Sequence, residues 1–126
     1  MNHTFLVMAG GAIGAAARYH LGRLTAQFAG TGWPWGTLAA NILGGFAMGL
    51  LAGWLARFAS GSGESLRVLL GVGVLGGFTT FSAFSLETML MIQRGQAAHA
   101  MLYVAASVIG AIGALAIGLQ LVRSVA

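Results

Sequence analysis

Cysteine, lysine and aspartate are absent from this 126-residue chain, proline occurs once, and the acids number two, Glu64 and Glu87. Without cysteine there is no disulfide, no thiolate nucleophile and no cysteine-bound metal. Two isolated glutamates, with no aspartate, assemble no acid/base pair, so an enzymatic reading fails on inventory. The three histidines, His3, His20 and His99, share no ligand spacing and point to no metal centre. Charged residues make up only 6% of the chain, against roughly 25% in an ordinary soluble domain. A water-soluble fold is therefore excluded.

What is present is apolar. Hydrophobic residues account for 58%, and glycine occurs 21 times. The net charge of +4 comes from six single arginines, Arg18, Arg23, Arg57, Arg67, Arg94 and Arg123. A pI near 11.3 in a soluble domain would raise the question of nucleic acid. Here no cluster forms a stripe along a phosphate backbone, and arginines set one by one between apolar runs read as interfacial anchors.

Four apolar runs can be counted, and each is long enough for a hydrocarbon core of about 30 Å, which takes about 20 helical residues. The spacing predicts helices over about 4–28, 35–57, 65–94 and 97–123, a single four-helix membrane domain over 1–126. The first run lacks a positive leading segment and is too long for a signal peptide, so it is expected to remain in the mature protein. The second carries Trp33 and Trp35 at one end and Trp54 beside Arg57 at the other, as aromatic belts do at two interfaces. From Trp35 to Trp54 a helix rises roughly 28 Å, one bilayer crossing. Connectors are short: Gly30 to Pro34, Ser60 to Glu64, and the turn around Gly95.

Glycine spacing argues for close helix packing. Gly45, Gly49 and Gly53 recur every fourth residue in the second run, as do Gly10 and Gly14 in the first and Gly110, Ala114 and Gly118 in the fourth. The third run differs. Gly71, Gly73, Gly76 and Gly77 lead directly into Thr79, Thr80, Phe81 and Ser82, and a helix broken near its middle is expected there, a kinked one being the alternative. Irregular backbone in a membrane is tolerated where protein or a water-filled cavity shields it, and its freed carbonyls can hold a cation.

Arginines divide three against three between the two sides: Arg57, Arg67 and Arg123 with the termini, and Arg18, Arg23 and Arg94 opposite. Such balance predicts weak orientation preference, so copies can insert both ways and pair antiparallel. A single orientation set by other features, or by Arg18 lying within the membrane, is the alternative.

Within the apolar runs lie the neutral hydrogen-bonding residues Asn41, Thr79, Thr80, Ser82, Ser85, Tyr103 and Ser107, and the acid Glu87. Polar groups at such depth are costly and usually line a pathway or a contact. Phe81 and Phe84 stand three apart, on one helical face, and a ring edge is electropositive. Core packing explains that spacing equally well. Glu87 can be read as a proton or cation carrier, or as an acid near the membrane end paired with an arginine or capping a backbone. Arg18 is either an anion-attracting group in a vestibule or an interfacial anchor.

The string GGFTTFSAFSLE (Gly76 to Glu87), with GTLAANILGG (Gly36 to Gly45) and GGAIGAAARY (Gly10 to Tyr19) before it, resembles the Fluc/CrcB fluoride channels over the whole chain. The resemblance implies a bacterial inner-membrane, multi-pass protein, an antiparallel dual-topology homodimer with two fluoride pores and a structural sodium ion at the dimer interface. By position, backbone carbonyls of Gly76 and Thr79 from both subunits would hold the sodium. Phe81 and Phe84 would line the pore with Asn41, Ser82, Thr80, Tyr103, Ser107 and Glu87, and Arg18 would sit in the vestibule. Two departures, Ala83 where relatives often have threonine and Ala111 where some have serine, remove part of the hydroxyl track. The implied function is passive, fluoride-selective export needing no nucleotide or redox cofactor. Two other classes remain: a small multidrug-type proton-coupled antiporter, whose acid normally lies in the first helix and not the third, and a structural subunit that packs on a larger partner through its glycine faces.

Overall fold

The computed structural model describes residues 2–58 and 63–125. Most of the expected Ser60–Glu64 connector lies outside the described residues. Helix α1 spans His3–Ala29, α2 Trp35–Phe58 and α6 Ala97–Val125. Between α2 and α6 the third segment runs in pieces: a single turn α3 (Gly63–Leu66), a π-helical stretch Arg67–Leu75, a short α4 (Gly76–Phe78) and α5 (Ser82–Gln93).

Local signals set the ends. The Asn2 side chain accepts the Thr4 amide (2.8 Å) and caps α1. Gly30, at φ 82°, closes α1 by donating its amide to Ala26 O (3.1 Å). Gly95, at φ 78°, turns the chain from α5 into α6, its amide donating to Ile92 O and that of Gln96 to Met91 O. Both glycines occupy the left-handed region, where a Cβ is strained.

Packing is through glycine. A Cβ on Gly45 would lie 2.7 Å from Ala111 O, one on Gly49 would strike Leu115 O, and one on Gly53 would lie 3.0 Å from Val122 Cβ. Residue numbers rise together, so α2 and α6 run parallel. Likewise Gly10 meets Leu69 O (2.5 Å) and Gly73 Cα (2.9 Å), and Gly14 meets Val74 and Phe78, so α1 runs parallel to the first half of the third segment. Each parallel pair needs one intervening antiparallel element, an up-down-up-down order.

Where α1 presses on the third segment the helix widens into π form, with the Gly76 amide donating to the carbonyl of Gly71, five residues back, and to that of Gly73. Nothing in the local spacing anticipates that stretch; it coincides with the closest backbone approach to α1. The interior is small: Leu38, Phe84, Met91, Ala100 and Tyr103, with Trp33, Ile42, Val104 and Ala106 packed against them. Large apolar side chains such as Phe5, Ile13, Phe28, Met101 and Ile109 are exposed, an arrangement suited to lipid and not to water. Among the described residues, three helices are long and apolar enough to cross a membrane: α2, the third segment Gly63–Gln93 taken together, and α6. The 27-residue α1 is long enough but carries Arg18 and Arg23 in its interior.

Candidate functional site

Thr79, Thr80 and Phe81 lie outside any helix, with Thr79 extended (φ −84°, ψ 160°). In a continuous helix the Thr80 amide would bond to the Gly76 carbonyl. It donates instead to Asn41 Oδ1 of α2 (2.8 Å), while Asn41 Nδ2 donates back to Thr80 O (3.0 Å). One carboxamide thus substitutes for a strand-like partner and holds the interruption against α2. The Ala83 amide, whose helical partner would be the Thr79 carbonyl, donates to Thr80 Oγ1 (3.2 Å) and starts α5. Arg18 of α1 reaches the same place, its Nε donating to Gly77 O at 3.4 Å. Every backbone group at such a break needs a partner; the side chains of Asn41, Thr80 and Arg18 supply partners to four.

Beside the interruption runs an open groove of about 520 Å³, lined by Asn41, Thr79, Thr80, Phe81, Phe84 and Ser107, together with Gly44, Gly76, Ala111 and apolar residues of α2 and α6. The Phe81 and Phe84 rings are 5.6 Å apart at 49°. They differ in burial: Phe84 is 9% exposed and Phe81 78%, because Phe81 precedes the first turn of α5 and the groove lacks a wall on that side.

A donor inventory separates the polar residues. The hydroxyls of Thr79, Ser85 and Thr88 donate to their own backbone, at Leu75 O, Phe81 O and Phe84 O, and have no hydrogen left for a ligand. Thr80 Oγ1 and Ser82 Oγ are 3.4 Å apart, so one of the two hydroxyl hydrogens is uncommitted. Asn41 has one amide hydrogen left after Thr80. Ser107 Oγ is buried with no partner among the described residues, and it faces the groove. Asn41, Thr80 and Ser107 therefore line one groove together with the rings of Phe81 and Phe84, while Ser82, expected in the same lining, is not among the groove residues.

Glu87 and Tyr103 sit elsewhere. The Tyr103 hydroxyl donates to Glu87 Oε1 (2.9 Å) and Thr37 Oγ1 to Oε2 (3.0 Å). Glu87 lines a second cavity of about 230 Å³, at the α1–α2 connector, with Thr25, Trp33, Pro34, Gly36 and Thr37. Tyr103 is fully buried, its ring centroid 5.2 Å from that of Phe84 and 5.6 Å from that of Trp33. Glu87 accordingly pairs with hydroxyls; the ion pair of Arg67 is with Glu64, at 2.7 Å. Thr37 is not singled out by the sequence, and Trp33 is read there only as part of an interfacial belt. Thr37 could have been found, since it lies one helical turn before Asn41 and shares its face.

Long apolar helices, lipid-facing side chains and a polar groove beside an interrupted helix define a multi-pass membrane protein. The family model described as CrcB-like protein, Camphor Resistance (CrcB), matches residues 5–119, and the chain belongs to that family. It is 57% identical to the fluoride-specific ion channel FluC of Novosphingobium aromaticivorans, with 100% of both chains covered. It is 56% identical to the FluC of Caulobacter vibrioides strain NA1000, over 99% of this chain and 98% of that one. The FluC of Sphingopyxis alaskensis is 54% identical, with 98% and 97% covered.

Proposed function

We propose that the protein is a fluoride-selective channel that lets fluoride leave the cytoplasm passively across the bacterial inner membrane. The observation that carries this reading is that Asn41, with an uncommitted amide hydrogen, and the hydroxyl residues Thr80 and Ser107 line one groove with Phe81 and Phe84. A small, strongly hydrated anion sheds water only where donors replace it. Neutral donors and ring edges do so without binding so tightly that exit is blocked. Electrostatics agree, since the first turn of α5 borders the groove and a helix N-terminus carries partial positive charge. Arg18 at Gly77 O adds a cation near the same end of the break, as a vestibule group would.

The protein acts as four crossings, α1 being the fourth, in one domain, and as an antiparallel homodimer of dual topology. The parallel pairing of α1 with the third segment and of α2 with α6 supports the crossing order. The open side of the groove, with Phe81 exposed, supports a second copy as its missing wall. A sodium ion at that interface fits the backbone: the amides of Thr80 and Ala83 are diverted to side chains, which leaves the carbonyls of Gly76 and Thr79 as hard oxygen donors. Bound there, sodium would neutralise converging carbonyl dipoles of two subunits.

Vesicles loaded with potassium fluoride and given a potassium ionophore test the reading. A fluoride electrode is expected to record protein-dependent efflux. No efflux above protein-free vesicles refutes the channel, and proton-driven uptake of organic cations abolished by Glu87→Gln would establish the antiporter instead.

A further inference from the structure

The outer face of α1 carries a set of polar side chains apart from the groove. His20, Arg23 and Gln27 are exposed and, with Leu21, Leu24 and Ala26, line an open recess built by α1 alone. At about 3.6 residues per turn they stand on the side of α1 turned away from Gly10 and Gly14, which pack on the third segment. The groove beside the break draws no lining residue from α1, so it does not extend to this face. Depth is fixed by packing: a Cβ on Gly36 would lie 2.8 Å from Gly22 Cα, which sets Arg23 at the level of Trp35. Tryptophans mark the headgroup level of a bilayer.

The set is ordered around one ring. The Arg23 guanidinium carbon lies 6.0 Å from the Tyr19 ring centroid, within cation–π reach, and the His20 ring meets the Tyr19 ring edge-on at 5.4 Å and 72°. Both nitrogen-bearing groups are thus held against the same tyrosine. Neither of the chain's two acids answers the Arg23 charge: Glu64 pairs with Arg67 at 2.7 Å, and Glu87 takes the hydroxyls of Tyr103 and Thr37. A guanidinium fork matches a phosphodiester with two parallel N–H donors, to which His20 adds a ring N–H and Gln27 an amide. Toward the start of α1 the same face continues as exposed Ala16, Ala12 and Ala9, low enough for an acyl chain to lie along the helix. We propose that His20, Arg23 and Gln27 form a binding site for an anionic phospholipid, its phosphodiester on the Arg23 fork and its chains along the alanines. The site rests on α1 as a membrane crossing, as read above, and not on which ion the groove carries.

The test is native mass spectrometry of the purified protein in detergent, titrated with phosphatidylglycerol or with phosphatidylcholine of the same chains. The parent is expected to hold phosphatidylglycerol about tenfold more tightly than phosphatidylcholine. Arg23→Gln should weaken phosphatidylglycerol about fivefold, the worth of one basic residue at an anionic surface, and leave phosphatidylcholine unchanged. Arg57→Gln, which removes an exposed arginine at the opposite end of α2, should cost less than about twofold, since a charge so far away is screened. Equal losses in the two variants would mean charge attraction alone and would overturn the site. Equal affinity of the parent for both lipids would do the same. Inorganic phosphate at the lipid's own concentration should leave the bound lipid in place; displacement would reveal a free-anion site and also count against a lipid. Should Arg23→Gln not fold, His20→Leu combined with Gln27→Leu replaces it under the same criteria. Fluoride efflux from vesicles of the same preparation separates the two levels: a parent that conducts without preferring phosphatidylglycerol loses only the lipid site.

Discussion

Ser107 is a hydroxyl that the fold does not use. It is 6% exposed and partnerless among the described residues, so its burial costs stability and only a ligand or water can offset that. Ser107→Ala should leave the melting temperature unchanged or slightly raised, while fluoride flux falls about ten- to hundredfold, the worth of one hydrogen bond to an ion. Asn41 has two duties, and its variants separate from those of Ser107. Asn41→Asp loses the donor to Thr80 O and sets an acid beside the groove. We expect both lower flux and a protein destabilised by about 2.5–3.5 kcal/mol, as for a charge at membrane depth, measured by flux and by thermal denaturation in detergent. Phe81→Ile tests the ring edge. With Phe81 largely exposed in the single chain, the substitution should spare folding of the protomer and reduce flux, and unchanged flux would remove Phe81 from the lining.

Helices meet through backbone rather than through large side chains, and the consequences can be measured. A Cβ at Gly49 would strike Leu115 O of α6, with no flexible side chain to move aside, so Gly49→Ala should destabilise by about 1–3 kcal/mol through overpacking. Gly11, whose Cβ would meet nothing within 4 Å, is the control, and Gly11→Ala should be near neutral in the same thermal assay. The long apolar runs made α2, the third segment and α6 legible as candidate spans, the first of these with tryptophans at its ends, and the glycines that recur every fourth residue marked the faces that touch. The polar run after Gly77 marked where the third segment would depart from a helix. The π-helical stretch over Arg67–Leu75 was not legible in its own residues, and it coincides with the close approach of α1, a contact between residues far apart in sequence. Hydrogen-bond commitments were equally hidden: Thr79, Thr80 and Ser82 look alike as a string, yet Thr79 spends its hydrogen on Leu75 O while one of the other two keeps its own. Glu87 stood out as an acid among apolar residues, but its partners, Thr37 and Tyr103, come from two other helices.

The whole molecule is proposed as two copies inserted in opposite senses. Reporters fused at the C-terminus should then be active on both sides of the membrane, and activity on one side alone would remove the antiparallel dimer. A chain without cysteine also accepts a single introduced thiol as a clean probe, so a cysteine at exposed Phe81 should cross-link two copies if the open side of the groove is the interface. The central claim is that uncharged donors and ring edges form a conduit that replaces fluoride's water and serves larger halides badly. Paired vesicles loaded with potassium fluoride or potassium chloride, opened by the same ionophore, test it most directly. The account predicts rapid loss of fluoride with chloride retained. Equal release of both ions, or retention of fluoride as in protein-free vesicles, would contradict it.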